Sequence, residues 1–121
     1  MPFLIEGDTV TIQEALDAVK SLTGAIIEDE TMIRWLSDVD GQLTVDFWKQ
    51  YNWDKYTEND SDRELLVPHP WDELYVHYLE AMTYYTNGEY DRYNNAMMMY
   101  NNALSQYKKY YRRTHRACAA Q

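Results

Sequence analysis

Apolar positions recur at helical spacing in four segments of this chain, and the last is the longest. Thr11 opens the first as T-x-x-E with Glu14, a capping box in which each side chain satisfies a backbone N–H at a helix start. Ile12, Ala15, Leu16, Val19 and Leu22 supply its buried stripe, and Thr23-Gly24 ends it. The second starts near Glu28-Asp29-Glu30, three carboxylates placed against the positive end of a helix dipole. Met32, Ile33, Leu36, Val39, Leu43 and Phe47 keep the period past Gly41, so the helix is expected to run on to about Trp48 despite a glycine that costs about 1 kcal/mol relative to alanine. Trp35 and Trp48 lie off that stripe, at the core edge or a subunit contact.

Between Gln50 and Pro70 the periodicity stops, which predicts one long acidic loop, with Leu65-Leu66-Val67 as its anchor to the core. Pro70 suits the first position of a third helix over about Trp71 to Thr86, with Asp72 and Glu73 complementing its dipole. Trp71, Leu74, Tyr78, Ala81 and Tyr85 form its seam, flanked by Tyr75 and Met82. Asn87-Gly88 then stops it. The fourth segment, Gly88 to Thr114, places Tyr90, Tyr93, Met97, Tyr100, Leu104, Tyr107 and Tyr111 at alternating steps of three and four, widened by Ala96, Ala103 and Tyr110. At 1.5 Å per residue its roughly 25 residues reach about 37 Å, and the other elements are expected to pack along it. Its asparagines are poor helix formers, so such a helix needs neighbours.

The pattern predicts an all-α, four-helix bundle-like single domain over residues 1–121, with the last two helices folded as an antiparallel hairpin. Residues 1–10 read as an arm with an apolar patch at Phe3-Leu4-Ile5, residues 50–70 as the loop, and residues 115–121 as a mobile tail.

Composition adds two features. Tyrosine (12) and tryptophan (4) far outnumber phenylalanine (2), which favours half-buried rings with polar tips, in a thin core or at an interface. The net charge of -9 is also unevenly spread: residues 1–88 hold 18 acidic against 5 basic side chains (net -13), and residues 89–121 hold 2 against 6 (net +4). An acidic surface serves solubility, but this polarity also lets the basic end of one molecule meet the acidic body of another. Cys118, the single cysteine, excludes an intrachain disulfide and a cysteine-based zinc site. No apolar run reaches membrane-spanning length and the first ten residues lack the pattern of a signal peptide, so a soluble intracellular protein is expected.

Candidate chemistry is sparse. His69, His77 and His115 are scattered, and no H-E-x-x-H, phosphate-cradling glycine loop or nucleophile elbow is present. Asp60 and Asp62 have the spacing of two calcium ligands but lack the glycine and closing Glu of a calcium loop. Met97-Met98-Met99 reads as core and flank. The chain is expected not to be an enzyme and to need no cofactor or metal. A helical enzyme would have to use Asp72, Glu73, His77 and Glu80, which the spacing permits without recommending. The strongest candidate surface is Lys108, Lys109, Arg112, Arg113 and Arg116, interleaved with Tyr107, Tyr110 and Tyr111, as a docking site on a subunit or partner. Its expected acidic counterpart is Asp54, Glu58, Asp60, Asp62 and Glu64. The overall negative charge argues against a dedicated nucleic-acid binder.

Three stretches carry a resemblance: Ile33-Arg34-Trp35-Leu36-Ser37 with Asp40-Gly41, then Glu64 through Tyr75 (ELLVPHPWDELY), then Asn87-Gly88-Glu89-Tyr90 with Arg92-Tyr93-Asn94-Asn95. The ending Tyr111-Arg112-Arg113-Thr114-His115 also fits. Together they resemble small proteins encoded among the capsid and neck genes of tailed bacteriophages and prophages of Gram-positive bacteria, whose members mostly have Tyr where this chain has Trp71. The resemblance implies a virion structural protein of the neck, a head-tail connector (adaptor, head-completion) subunit made in the host cytoplasm. Such subunits form a ring, typically a dodecamer, around the DNA channel between the portal and the tail or stopper proteins, near packaged DNA and without a membrane. It implies no catalytic residue. The alternative is a small acidic regulator or inhibitor that binds a phage or host protein as a monomer.

Overall fold

The computed structural model describes residues 10–24, 27–48, 55–60 and 62–114. Among them lie four helices: α1 (Ile12–Thr23), α2 (Asp29–Trp48), α3 (Glu73–Thr86) and α4 (Tyr90–Thr114), with a short 3-10 turn at Glu58–Asp60. The fold is all-α and bundle-like. The expected arm up to Thr9, the tail from His115 and Cys118 lie outside the described residues.

The capping box opens α1: Glu14 N–H donates to Thr11 Oγ1 at 3.2 Å and Thr11 N–H donates to Glu14 Oε1 at 2.9 Å. Gly24, at a left-handed φ of 67°, closes it by donating to Lys20 O. Lys20 then pairs with Asp29 at 2.5 Å, joining the end of α1 to the start of α2. Ile12, Ala15, Leu16 and Val19 are buried as expected, whereas Leu22, in the last turn of α1, is 56% exposed. Helix α2 runs unbroken through Gly41 and buries Met32, Ile33, Trp35, Leu36, Val39 and Leu43.

The third helix starts later than its prolines predict. Pro70 is not its first residue: the His69–Pro70 peptide is cis, Trp71 N–H donates to Pro68 O at 2.9 Å, and regular helix begins at Glu73. The chain uses these residues to turn before it can wind. The seam is also rotated from the expected one, since Leu74, Tyr75, Leu79, Ala81 and Thr83 are buried while Tyr85 is exposed.

Ring pairs fix the α3–α4 hairpin. Tyr85 meets Tyr90 and Tyr93, Tyr78 meets Tyr100, and Trp71 meets Tyr107 and Tyr110, so positions descend on α3 as they ascend on α4. That is an antiparallel hairpin. Its turn is closed by Gly88, at a φ of 76°, which donates to Tyr85 O.

The organising helix is α3, not α4. Helices α1, α2 and α4 all pack on α3, and α4 buries only Ala96 and Tyr107. The long helix carries tyrosine, alanine and methionine with Leu104 as its one branched aliphatic, so it lies along α3 with most rings half-buried. Its end is held at α2, where Phe47 stacks on Tyr111 with centroids 4.1 Å apart and Lys108 pairs with Asp46 at 3.1 Å. Met97 is half-buried, but Met98 and Met99 are 69% and 54% exposed, which corrects their reading as core and flank.

Candidate functional site

Lys109, Arg112 and Arg113 are exposed on the last turns of α4. Helix geometry places them there because the tyrosines at 107, 110 and 111 take the inward positions. Those tyrosines are not a docking surface of equal rank. Tyr107 is 5% exposed, packed among Phe47, Trp71 and its neighbouring tyrosines, and burial pushes its hydroxyl well above the usual tyrosine range. Tyr110 stacks on Trp71 at 4.8 Å and Tyr111 on Phe47, and both are half-buried. Lys108 is turned to Asp46. The three remaining cations form the accessible patch, and Arg116 lies outside the described residues.

The expected acidic counterpart is less uniform. Asp54 lies outside the described residues, and Glu58 starts the 3-10 turn. Asp60 is half-buried and spent internally: its carboxylate accepts from Thr57 N–H at 2.7 Å and lies 3.8 Å from Arg63. Asp62 and Glu64 are exposed. The carboxylates are therefore not one continuous patch.

A feature that sequence reasoning missed holds this loop in place. Asp40, on α2, is 0% exposed. Its Oδ2 accepts from Tyr56 OH at 2.6 Å and from Leu66 N–H at 3.2 Å, and its Oδ1 accepts from Tyr75 OH at 2.5 Å. Tyr75 OH in turn accepts from Val67 N–H at 2.8 Å. One carboxylate thus ties both ends of the described loop to α2 and α3. Ser37 Oγ adds a bond from Tyr56 N–H at 3.2 Å, and Arg63 lies over the Tyr56 ring at 4.6 Å. Leu65 and Val67 fill the core beneath, as expected of the anchor. Across the loop Ile12 N–H donates to Arg63 O at 3.0 Å and Leu65 N–H to Val10 O at 2.8 Å, a small antiparallel bridge to the start of α1.

Burial raises the Asp40 pKa above the ordinary carboxylate value, against the opposing pull of its hydrogen bonds and of Arg63. Burial and the Asp40 charge likewise raise Tyr56 and Tyr75. Both carboxylate oxygens are engaged and the residue has no solvent exposure, so the node positions the loop. The signal for it was in the sequence: Asp40 falls four residues after Leu36 and three before Leu43, on the stripe itself.

His69 and His77 stay apart from it. His69 Nδ1 is 2.9 Å from Asp72 Oδ1, and His77 Nδ1 is 3.9 Å from Glu80 Oε1. Among the described residues no three His, Cys, Asp or Glu side chains gather as a metal ion requires, and no helix is long and apolar enough to cross a membrane. A cleft of about 300 Å³ beside α2, lined by Glu30, Arg34, Asp38, Lys55 and Tyr56, mixes both charges and selects neither sign. No family model, curated protein or solved structure matches this chain.

Proposed function

We propose that this chain is a head-tail connector subunit of a tailed phage, a virion structural protein that packs in a ring between portal and tail around the DNA channel. The observation that carries the reading is the exposed trio Lys109, Arg112 and Arg113 at the end of a helix held to α2 by Phe47 and Asp46, in a chain whose net charge is -9. A contact repeated around an axis joins two different patches of one subunit, and opposite charge on the two makes them complementary. Two further features support it. The Asp40 node holds Tyr56 and Leu66, on either side of the exposed Asp62, which lowers the ordering cost of docking through this segment. The resemblance of residues 64–75 and of the hairpin turn to phage neck proteins supplies the biological setting. In this reading the cations dock on the portal or a neighbouring subunit, and tail or stopper proteins meet the opposite side of the ring.

The double reversal Arg112→Glu/Arg113→Glu tests it. Both side chains are exposed, so circular dichroism should show an intact helical monomer, with a helix-end penalty of about 1 kcal/mol or less. Incorporation into phage necks should be lost. Normal incorporation of the variant would contradict the docking role.

A further inference from the structure

Opposite its core seam, α4 carries a second seam at the same spacing. Asp91, Asn95, Met98, Asn102, Ser105, Lys109 and Arg112 follow one another at alternating steps of four and three, and all are exposed. Between Tyr93 and Tyr107 the helix has no charged residue, about 22 Å of surface built from carboxamides, methionine and serine. A surface helix ordinarily keeps charges on its solvent face. This one confines them to its ends, with Asp91 at the start and Lys109 near the finish.

We propose that this face is a self-pairing surface, on which the α4 helix of a second copy of the chain lies antiparallel. The charge order argues for that occupant. With the pair centred on Tyr100, the midpoint of the uncharged span, Asp91 of each copy falls opposite Lys109 of the other. Asn95 falls opposite Ser105, and Met98 opposite Asn102. Each seam position from 91 to 109 thus meets another seam position, as a twofold contact requires. Carboxamides both donate and accept, so Asn95 and Asn102 find partners on an identical surface. Among the described residues neither Asp91 nor Lys109 makes an ion pair within the chain, while Arg92 is turned to Glu89 and Lys108 to Asp46. Arg112 and Arg113 run past the partner's Gly88 turn, which leaves them outside the paired segment, whereas Lys109 is held by the partner's Asp91 in the free dimer and is released from it before it meets any other neighbour.

One helix face buries less than a standard interface, so the dimer is weak and reversible. It does not rest on the connector reading, and its test uses the free chain without phage components. Sedimentation equilibrium over a concentration series should show a monomer–dimer equilibrium. Asp91→Lys replaces two attractions per dimer with two repulsions and should lower the association constant about tenfold. Lys109→Glu should do the same. Combining D91K with K109E restores opposite charges across the interface and should recover association, although the helix-end cost of each substitution remains. Met98→Glu, at a position 69% exposed in the monomer, should weaken association without unfolding the chain. A wild-type chain that stays monomeric throughout the series would overturn the proposal, as would a double variant no better than either single one.

Discussion

A carboxylate without solvent contact persists in a folded chain where donors meet its oxygens, and Asp40 has three, from Tyr56, Tyr75 and Leu66. Asp40→Asn keeps the shape but brings two N–H donors, one more than a protonated carboxyl, to a site already lined by three donors, leaving one of them without an acceptor. The expected loss of stability is about 1–3 kcal/mol by urea unfolding. Its pH dependence follows from the raised folded-state pKa. Between the unfolded value of about 3.9 and the folded one the native state binds more protons than the unfolded chain. The stabilising contribution of Asp40 is therefore complete below about pH 3.9 and lost as pH rises through the folded pKa. The stability gap between wild type and Asp40→Asn should be widest in acid and narrow as pH rises across that window. A gap that widens with pH would show that Asp40 is stabilised as the anion.

At the scale of elements, helices were legible where apolar spacing and caps agreed. Thr11 with Glu14 and Gly24 with Thr23 bracketed α1, and the unbroken stripe carried α2 through Gly41. Sequence spacing was weaker where the same residues serve two structures. Pro68, His69 and Pro70 read equally well as a helix start and as the turn they form. In α3 tyrosines surround the seam, and periodicity alone did not separate buried Tyr75 from exposed Tyr85, because a tyrosine ring is compatible with either side. The α3–α4 turn provides a direct check. No atom lies within 4 Å of a Cβ added at Gly88, so Gly88→Ala meets no clash and its cost is the left-handed backbone alone. Thermal unfolding should show a loss of about 1–2 kcal/mol with helicity unchanged. A neutral outcome would mean that the turn relaxes out of the left-handed conformation.

For the whole molecule, the length and regularity of α4 suggested a central organiser, yet length measures what a helix can reach and not what it buries. The buried branched aliphatic residues lie in α1, α2, α3 and the loop anchor, so the core formed there and α4 was left with a half-buried, mainly aromatic seam and an open outer face. The cationic residues of the candidate site were legible as a cluster. Their division into an accessible trio and an internally paired Lys108 was not, because it depends on Asp46, 62 residues earlier in the chain. An acidic body, an exposed basic helix end and a pinned loop together suit a subunit that meets different neighbours on different sides.

The measurement that tests the proposed connector role most directly is cryo-electron microscopy of the necks of tailed-phage particles made in cells that express this chain. The proposed role predicts a ring of this four-helix fold between portal and tail, with Lys109, Arg112 and Arg113 at a protein contact. Particles whose neck lacks this fold would contradict it, and would favour an acidic protein that acts as a monomer on a phage or host partner.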